Sequence, residues 1–110
     1  MRNEDNEQII DNIIKHHGMR RQKIKAMEEL AELIQAIAKQ SHAKKGINHL
    51  IDCRHYDSLV QEIADVYIML WQLEKIYRVP QSDIWEIAQQ KLEAQKYAIS
   101  VSNTFLGKQK

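Results

Sequence analysis

The chain has few of the residues that break helices or cross-link chains, with 3 glycines, 1 proline and 1 cysteine among 110 residues. So little glycine and proline predicts few tight turns and long helices. The single Cys53 excludes a disulfide within the chain and favours a reducing compartment. Long apolar runs are also lacking, since none approaches the ~20 residues that a membrane-spanning helix needs. We therefore expect no membrane contact.

Neither sign of charge dominates, because 16 basic residues face 15 acidic ones and the net charge is +1. No overall field would draw the chain to nucleic acid or to an anionic membrane. A basic cluster near Arg20 to Lys25 lacks interleaved aromatic residues, so we expect no nucleic-acid partner. The polar, acidic N-terminus lacks the basic-then-apolar order of a signal peptide. These features together predict a cytoplasmic protein.

Hydrophobic periodicity predicts an all-α fold, an antiparallel bundle of four to five helices. The length suggests one domain over residues 1–110, with a partly flexible tail over residues 101–110. A loop is expected from His42 to His55. The predicted helices run from about Asn3 to His17, from Met19 or Arg20 to about Ser41, from Tyr56 or Asp57 to Tyr77, and from about Ser82 to Ser100, the last burying Ile84, Ile87, Ala88 and Leu92.

The centre of the third helix, from Val66 to Trp71, is apolar around its whole circumference. A helix with that composition is buried on all sides. A single chain of four helices rarely encloses one helix so fully, so this segment predicts an interface between subunits.

Acidic residues accompany the apolar stripe of the second helix, which comprises Met27, Leu30, Ala31, Ile34 and Ile37. Glu29 and Glu32 are three residues apart and so share a helix face, where like charges repel. Glu28 lies beside them. A single pair of this kind is most often a solvated helix face.

A second acid pair with the same spacing, Glu62 and Asp65, lies in the third helix. Glu32 lies about nine residues (roughly 14 Å) before the end of its helix, and Glu62 about six (roughly 9 Å) after the start of the next. In an antiparallel hairpin the two pairs therefore reach similar heights. Four converging carboxylates repel strongly unless a cation neutralises them.

Oxygen-only ligation favours Mg²⁺, with Mn²⁺ as a substitute, over zinc. The chain contains no Glu-x-x-His, which argues against a di-iron bundle. A Mg²⁺ site that leaves positions for water and substrate usually serves phosphate chemistry. Lys25, one turn before Glu28 and Glu29, either faces an anionic ligand or is solvated. His17 either interacts favourably with the helix dipole at the C-terminal end of the first helix or contacts a base or ribose.

The segment Lys25-Ala-Met-Glu28-Glu29-Leu-Ala-Glu32, followed by Glu62-Ile-Ala-Asp65, resembles the MazG-like all-α nucleoside triphosphate pyrophosphohydrolases. That family carries Glu-Glu-x-x-Glu and then Glu-x-x-Asp on consecutive helices. The resemblance covers roughly Ile14 to Lys96 and extends to His17-Gly18, Gln22 and Lys91-Leu-Glu. It implies a Mg²⁺-dependent enzyme that cleaves ribo- or deoxyribonucleoside triphosphates to the monophosphate and pyrophosphate and clears them from the nucleotide pool.

The resemblance also implies roles for individual residues. Metal ligands would be Glu29, Glu32, Glu62 and Asp65. Glu28 would bind a second metal or orient the attacking water, so that Glu28, Glu29 and Lys25 form the catalytic set. Substrate contacts would come from Lys25 and Lys91 at the phosphates and from Gln95, Lys96, Gln22 and His17. Gln95 departs from the asparagine that many family members carry there.

The resemblance further implies a homodimer or a homotetramer. Two other functions stay open at this point. One is a non-catalytic helical interaction or regulatory protein, and the other is a related phosphoribosyl-ATP pyrophosphohydrolase.

Overall fold

A computed structural model of the protein describes residues 1–42 and 53–108, with side chains at residues 1–40 and 56–106. The described residues form helices and contain no strand, which confirms the all-α prediction. None of these helices combines the length and the apolar character that crossing a bilayer requires. The elements are α1 (Glu4–His17), α2 (Met19–His42), α3 (Cys53–Ile76) and α4 (Gln81–Lys108).

The bounds of α1 and the start of α2 follow from local chemistry that the sequence already carries. The Asn3 side chain accepts a hydrogen bond of 2.8 Å from the Asn6 amide and caps α1. At the other end, the Gly18 amide donates to the Ile14 carbonyl at 2.8 Å. Gly18 has φ +89°, a conformation that strains any residue with a Cβ. The chain can therefore reverse there and begin α2 at the next residue.

The third and fourth helices are longer than predicted. α3 begins at Cys53, so residues 53–55 are helical rather than part of the predicted loop, whose residues 43–52 lie outside the described part. α4 continues to Lys108 instead of ending near Ser100 and includes most of the predicted tail. No glycine or proline interrupts residues 101–106.

The contacts divide the chain into two compact units, Met1–Arg78 and Val79–Lys110. Arg78, just before Val79 and Pro80, has φ +54°. The predicted burial of the apolar face of α4 is wrong for the single chain, because Ile84, Ile87 and Leu92 are exposed and Ala88 is half-buried. Helical spacing shows that such residues share a face, but it does not show what covers that face.

In the first unit, α2 and α3 form the largest contact, and α1 packs against both. Two cross-helix contacts show that α2 and α3 run antiparallel: Gln22 bonds to Gln72, and Glu32 lies beside Glu62. We call the face along which they pack the seam. On α2 its buried and half-buried residues recur at steps of three and four, namely Gln22, Ala26, Glu29, Leu33, Ala36 and Gln40.

The apolar stripe of α2 is not its packed face in this chain. Met27, Leu30, Ile34 and Ile37 are 62%, 38%, 66% and 51% exposed. Each follows a seam residue by one position, and one position turns a helix by about 100°. The sequence therefore located the stripe correctly but assigned it to the wrong surface.

The centre of α3 has both buried and exposed apolar residues. Val66, Met69 and Trp71 are buried, whereas Tyr67 and Leu70 are 60% and 45% exposed. The single chain thus leaves part of this apolar segment open. The interface between subunits stays a prediction.

Candidate metal centre

Three glutamates converge on the seam where α2 and α3 pack. Glu29 and Glu32 lie one turn apart on α2, and Glu62 faces them from α3. One carboxylate oxygen from each lies within 4.8 Å of the other two. Glu29 is buried, Glu62 is half-buried and Glu32 is exposed. We call this set the glutamate cluster. Glu32 and Glu62 therefore lie at similar heights along the two helices.

Two buried oxygens of the glutamate cluster lack a hydrogen-bond partner. Glu29 is only 7% exposed, and its Oε2 has no donor within the described residues. Oε2 of Glu62 is in the same situation. A buried carboxylate oxygen without a partner loses its hydration and gains nothing in return. A cation placed among these oxygens would remove that cost.

One basic side chain reaches the cluster from the described residues. Nζ of Lys25 lies 3.1 Å from Oε1 of Glu29, one helical turn away. This hydrogen bond raises the pKa of Lys25 above its ordinary value, and the charge of Glu29 acts in the same direction. Lys25 therefore satisfies one oxygen of Glu29 and leaves the other open.

Repulsion within the cluster affects the pKa of Glu32. The negative charge of Glu29, followed by that of Glu62, raises the pKa of the Glu32 carboxyl above its ordinary value. Burial and hydrogen bonding to the same two carboxyls act in the same direction. The site thus resists holding three negative charges.

Two other predicted acids lie outside the cluster. Asp65 is exposed and does not belong to the group of oxygens within 4.8 Å. It precedes the buried Val66 by one position and so points off the seam. Glu28 is likewise exposed and precedes the buried Glu29 by one position. Both are neighbours of the cluster along the chain rather than members of it.

The predicted substrate-binding residues other than Lys25 belong to three helices. Gln22 is buried, and its Nε2 donates a hydrogen bond of 2.8 Å to Oε1 of Gln72. It lies ten residues before Glu32, roughly 15 Å along α2. His17 ends α1 and is exposed, with its ring edge-on to His16. On α4, in the second unit, lie the exposed Lys91, Gln95 and Lys96.

A polar cleft of about 180 Å³ adjoins the glutamate cluster, and the sequence interpretation missed it. Glu32 and Glu62 form part of its wall. The spacing could have revealed it, since residues three, four, seven and eight positions after Glu32 share a helix face with it. The other lining residues are Gln35, Ala36, Lys39 and Gln40 on α2, with Ser58 and Leu59 on α3.

The donor set fits a hard divalent cation. Three carboxylates supply only oxygen ligands, which Mg²⁺ and Mn²⁺ prefer, and three ligands leave positions for water and substrate. The unpartnered oxygens of Glu29 and Glu62 are the observation that points to such an ion. Comparison with known proteins adds no family assignment, because no protein-family model, curated protein or solved structure matches the chain.

Proposed function

We propose that the protein is a Mg²⁺-dependent nucleoside triphosphate pyrophosphohydrolase that releases a nucleoside monophosphate and pyrophosphate. The observation that carries the proposal is the glutamate cluster, with its two buried and unpartnered carboxylate oxygens. The resemblance of the acid motifs to MazG-like enzymes supplies the reaction. A binding protein with a purely structural acid cluster would not be expected to bury unsatisfied carboxylates.

Glu29, Glu32 and Glu62 would hold the ion. Asp65, which the resemblance makes a fourth ligand, lies outside this group. When bound, Mg²⁺ neutralises phosphate charge and lowers the pKa of a coordinated water. Glu28, exposed beside the cluster, is suited to orienting the attacking water. Lys25 forms an ion pair with Glu29 and would contact phosphate oxygens, which is the role that the resemblance implies for it.

The remaining substrate contacts in the proposal come from the sequence resemblance. Lys91, Gln95 and Lys96 on α4 would bind phosphate or nucleoside, and His17 would contact the base or ribose. Gln22 is the exception among these residues. Its amide is already bonded to Gln72, which supports a role in fixing how α2 and α3 pack.

The proposal includes a homodimer or homotetramer. The exposed apolar residues of α2 and α3 are spaced at three and four positions, as in helices that pack against a second helix. A second copy of the chain would cover both stripes. Light scattering at micromolar concentration should report a dimer or a tetramer, and a monomer would contradict this part of the proposal.

The activity is tested by measuring pyrophosphate release from a panel of ribo- and deoxyribonucleoside triphosphates, with phosphoribosyl-ATP included. Glu32→Gln should abolish Mg²⁺-dependent release while leaving the helical circular dichroism intact, because an amide is a poor ligand for Mg²⁺. Glu86→Gln, an equal change on the exposed surface of α4, is the matched control. Full activity of Glu32→Gln, or no activity of the wild type on any substrate, would refute the proposal.

A further inference from the structure

The polar cleft extends from the glutamate cluster toward the C-terminal end of α2 and the N-terminal end of α3. Glu32 and Glu62 belong both to the cluster and to the cleft wall. Its volume of about 180 Å³ is below the roughly 300–1,000 Å³ of pockets that enclose a whole small-molecule ligand. It therefore has room for part of a nucleotide rather than for all of it.

The lining of the cleft suits an oxygen-rich anion better than a base. Beyond the two glutamates it offers one ammonium group, from Lys39, the amides of Gln35 and Gln40, and the hydroxyl of Ser58. None of the eight lining residues in the described part of the chain is aromatic, so these residues offer a nucleobase no ring on which to stack. Each of these four polar groups can donate a hydrogen bond to a phosphate oxygen.

Lys39 is placed to act together with the glutamate cluster. It follows Glu32 by seven residues, which is two helical turns and roughly 10 Å along the same face of α2. Side chains on a helix lean toward its N-terminus, so the Lys39 stem is directed back over Gln35 toward Glu32. Among the side chains that the structure describes, at residues 1–40 and 56–106, Lys39 has no ion-pair partner.

A second lining residue also has an unsatisfied group. Oε1 of Gln40 is buried and lacks a hydrogen-bond partner among the described residues. The Gln40 amide can present either its oxygen or its nitrogen to the cleft, because the two ends are interchangeable by rotation. Gln40 and Lys39 therefore both retain hydrogen-bonding capacity for a ligand.

We propose that this cleft binds the pyrophosphate portion of the substrate and that Lys39 contacts it directly. The inference rests on the proposed function. In that reaction the water oxygen bonds to the α-phosphorus, and the bond from that phosphorus to the bridging oxygen breaks. The bonding pair leaves with pyrophosphate, and the water proton passes to solvent. The Lys39 ammonium offsets the charge that grows on the leaving group, so Lys39 is a catalytic residue outside the acid motif.

The test is calorimetric titration of inorganic pyrophosphate into the full chain in the presence of Mg²⁺. Lys39→Ala should weaken pyrophosphate binding about tenfold, the effect of losing one charge-assisted hydrogen bond. Lys39→Arg should retain most of the affinity, and binding of a nucleoside monophosphate should be unchanged. Arg21→Ala removes an exposed cation from the same helix outside the cleft and is the matched control.

The outcomes separate this inference from the proposed function. If the wild type releases pyrophosphate from a nucleoside triphosphate but Lys39→Ala binds pyrophosphate equally well, the function stands and the cleft assignment is wrong. If Lys39→Ala weakens the monophosphate instead, the assignment is also wrong. If no triphosphate is hydrolysed yet pyrophosphate binding depends on Lys39, the anion site stands and the function fails. Lys39 is exposed, so each variant is expected to fold, and thermal unfolding checks this.

Discussion

The seam between α2 and α3 contains two sets of buried polar side chains that differ in one respect. Near the start of α2, Nε2 of Gln22 donates a hydrogen bond of 2.8 Å to Oε1 of Gln72. Nε2 of Gln72 in turn donates to Sδ of Met69. Further along, Glu29 and Glu62 bury oxygens that nothing in the described chain satisfies. The first set is satisfied within the protein, whereas the second leaves carboxylate oxygens without a hydrogen-bond donor. This is the difference that we expect between a structural polar pair and the metal site that we propose.

The largest expected effect comes from adding Mg²⁺ to the protein. If Mg²⁺ binds only the folded protein, a concentration one hundred times its dissociation constant should raise the free energy of unfolding by about 2.7 kcal/mol. Urea unfolding with and without Mg²⁺ measures this, with NaCl added to keep the ionic strength constant.

Glu62→Gln is the control for that measurement. Without Mg²⁺ the variant should be more stable than the wild type by about 1 kcal/mol, because an amide removes one charge and donates to a neighbouring carboxylate. With Mg²⁺ it should gain little. Equal stabilisation of both proteins would mean that the ion binds elsewhere.

Much of the fold was readable from the sequence because its signals are local. Asn3 and Gly18 bound α1 through a side-chain cap and a backbone conformation that these residue types favour. The face on which α2 packs was not readable. Positions 26, 29, 33 and 36 and positions 27, 30, 34 and 37 follow the same steps, and the second series is the more apolar. Packing within the chain uses the first series, where Ala26 and Ala36 are small.

The candidate site shows the same division between local and long-range information. Spacing alone placed Glu29, Glu32 and Glu62 at one height, since helical rise is fixed. It could not exclude Asp65 from the cluster, because whether i or i+3 faces the partner depends on how α3 is rotated. Nor could it single out Lys39, whose significance depends on the cleft wall that Ser58 contributes from α3.

The next largest effect should come from removing the hydrogen bond between Gln22 and Gln72. Gln22→Ala leaves the buried amide of Gln72 without its partner and should lower the free energy of unfolding by about 2 kcal/mol. The double variant with methionine at positions 22 and 72 should lose less stability than Gln22→Met and Gln72→Met lose in sum. The reason is that two apolar groups of similar shape need no hydrogen bond.

A double-mutant cycle from urea unfolding gives that coupling. The affinity for Mg²⁺ should stay near the wild-type value in Gln22→Ala, because Glu29 lies seven residues, roughly 10 Å, along the helix. Additive losses in the cycle would show that the two amides do not act as a pair. A large loss of Mg²⁺ affinity would show that the two polar sets are coupled.

The smallest expected effect is a pH dependence of stability, which the glutamate cluster should have and the Gln22–Gln72 pair should not. Because Glu29 and Glu62 raise the pKa of Glu32 in the folded protein, the folded state binds a proton more readily than the unfolded one. Without Mg²⁺, stability should therefore fall as the pH rises from 4.5, the ordinary value for glutamate, through the raised pKa of Glu32. Urea unfolding of the wild type and Glu32→Gln over this range isolates the contribution, since the amide does not titrate.

Saturating Mg²⁺ should abolish the difference in slope, because a bound cation favours the ionised carboxylate. A slope that is the same in wild type and Glu32→Gln would mean that the three carboxylates do not interact, and the cluster would then lose the electrostatic reason for binding a cation.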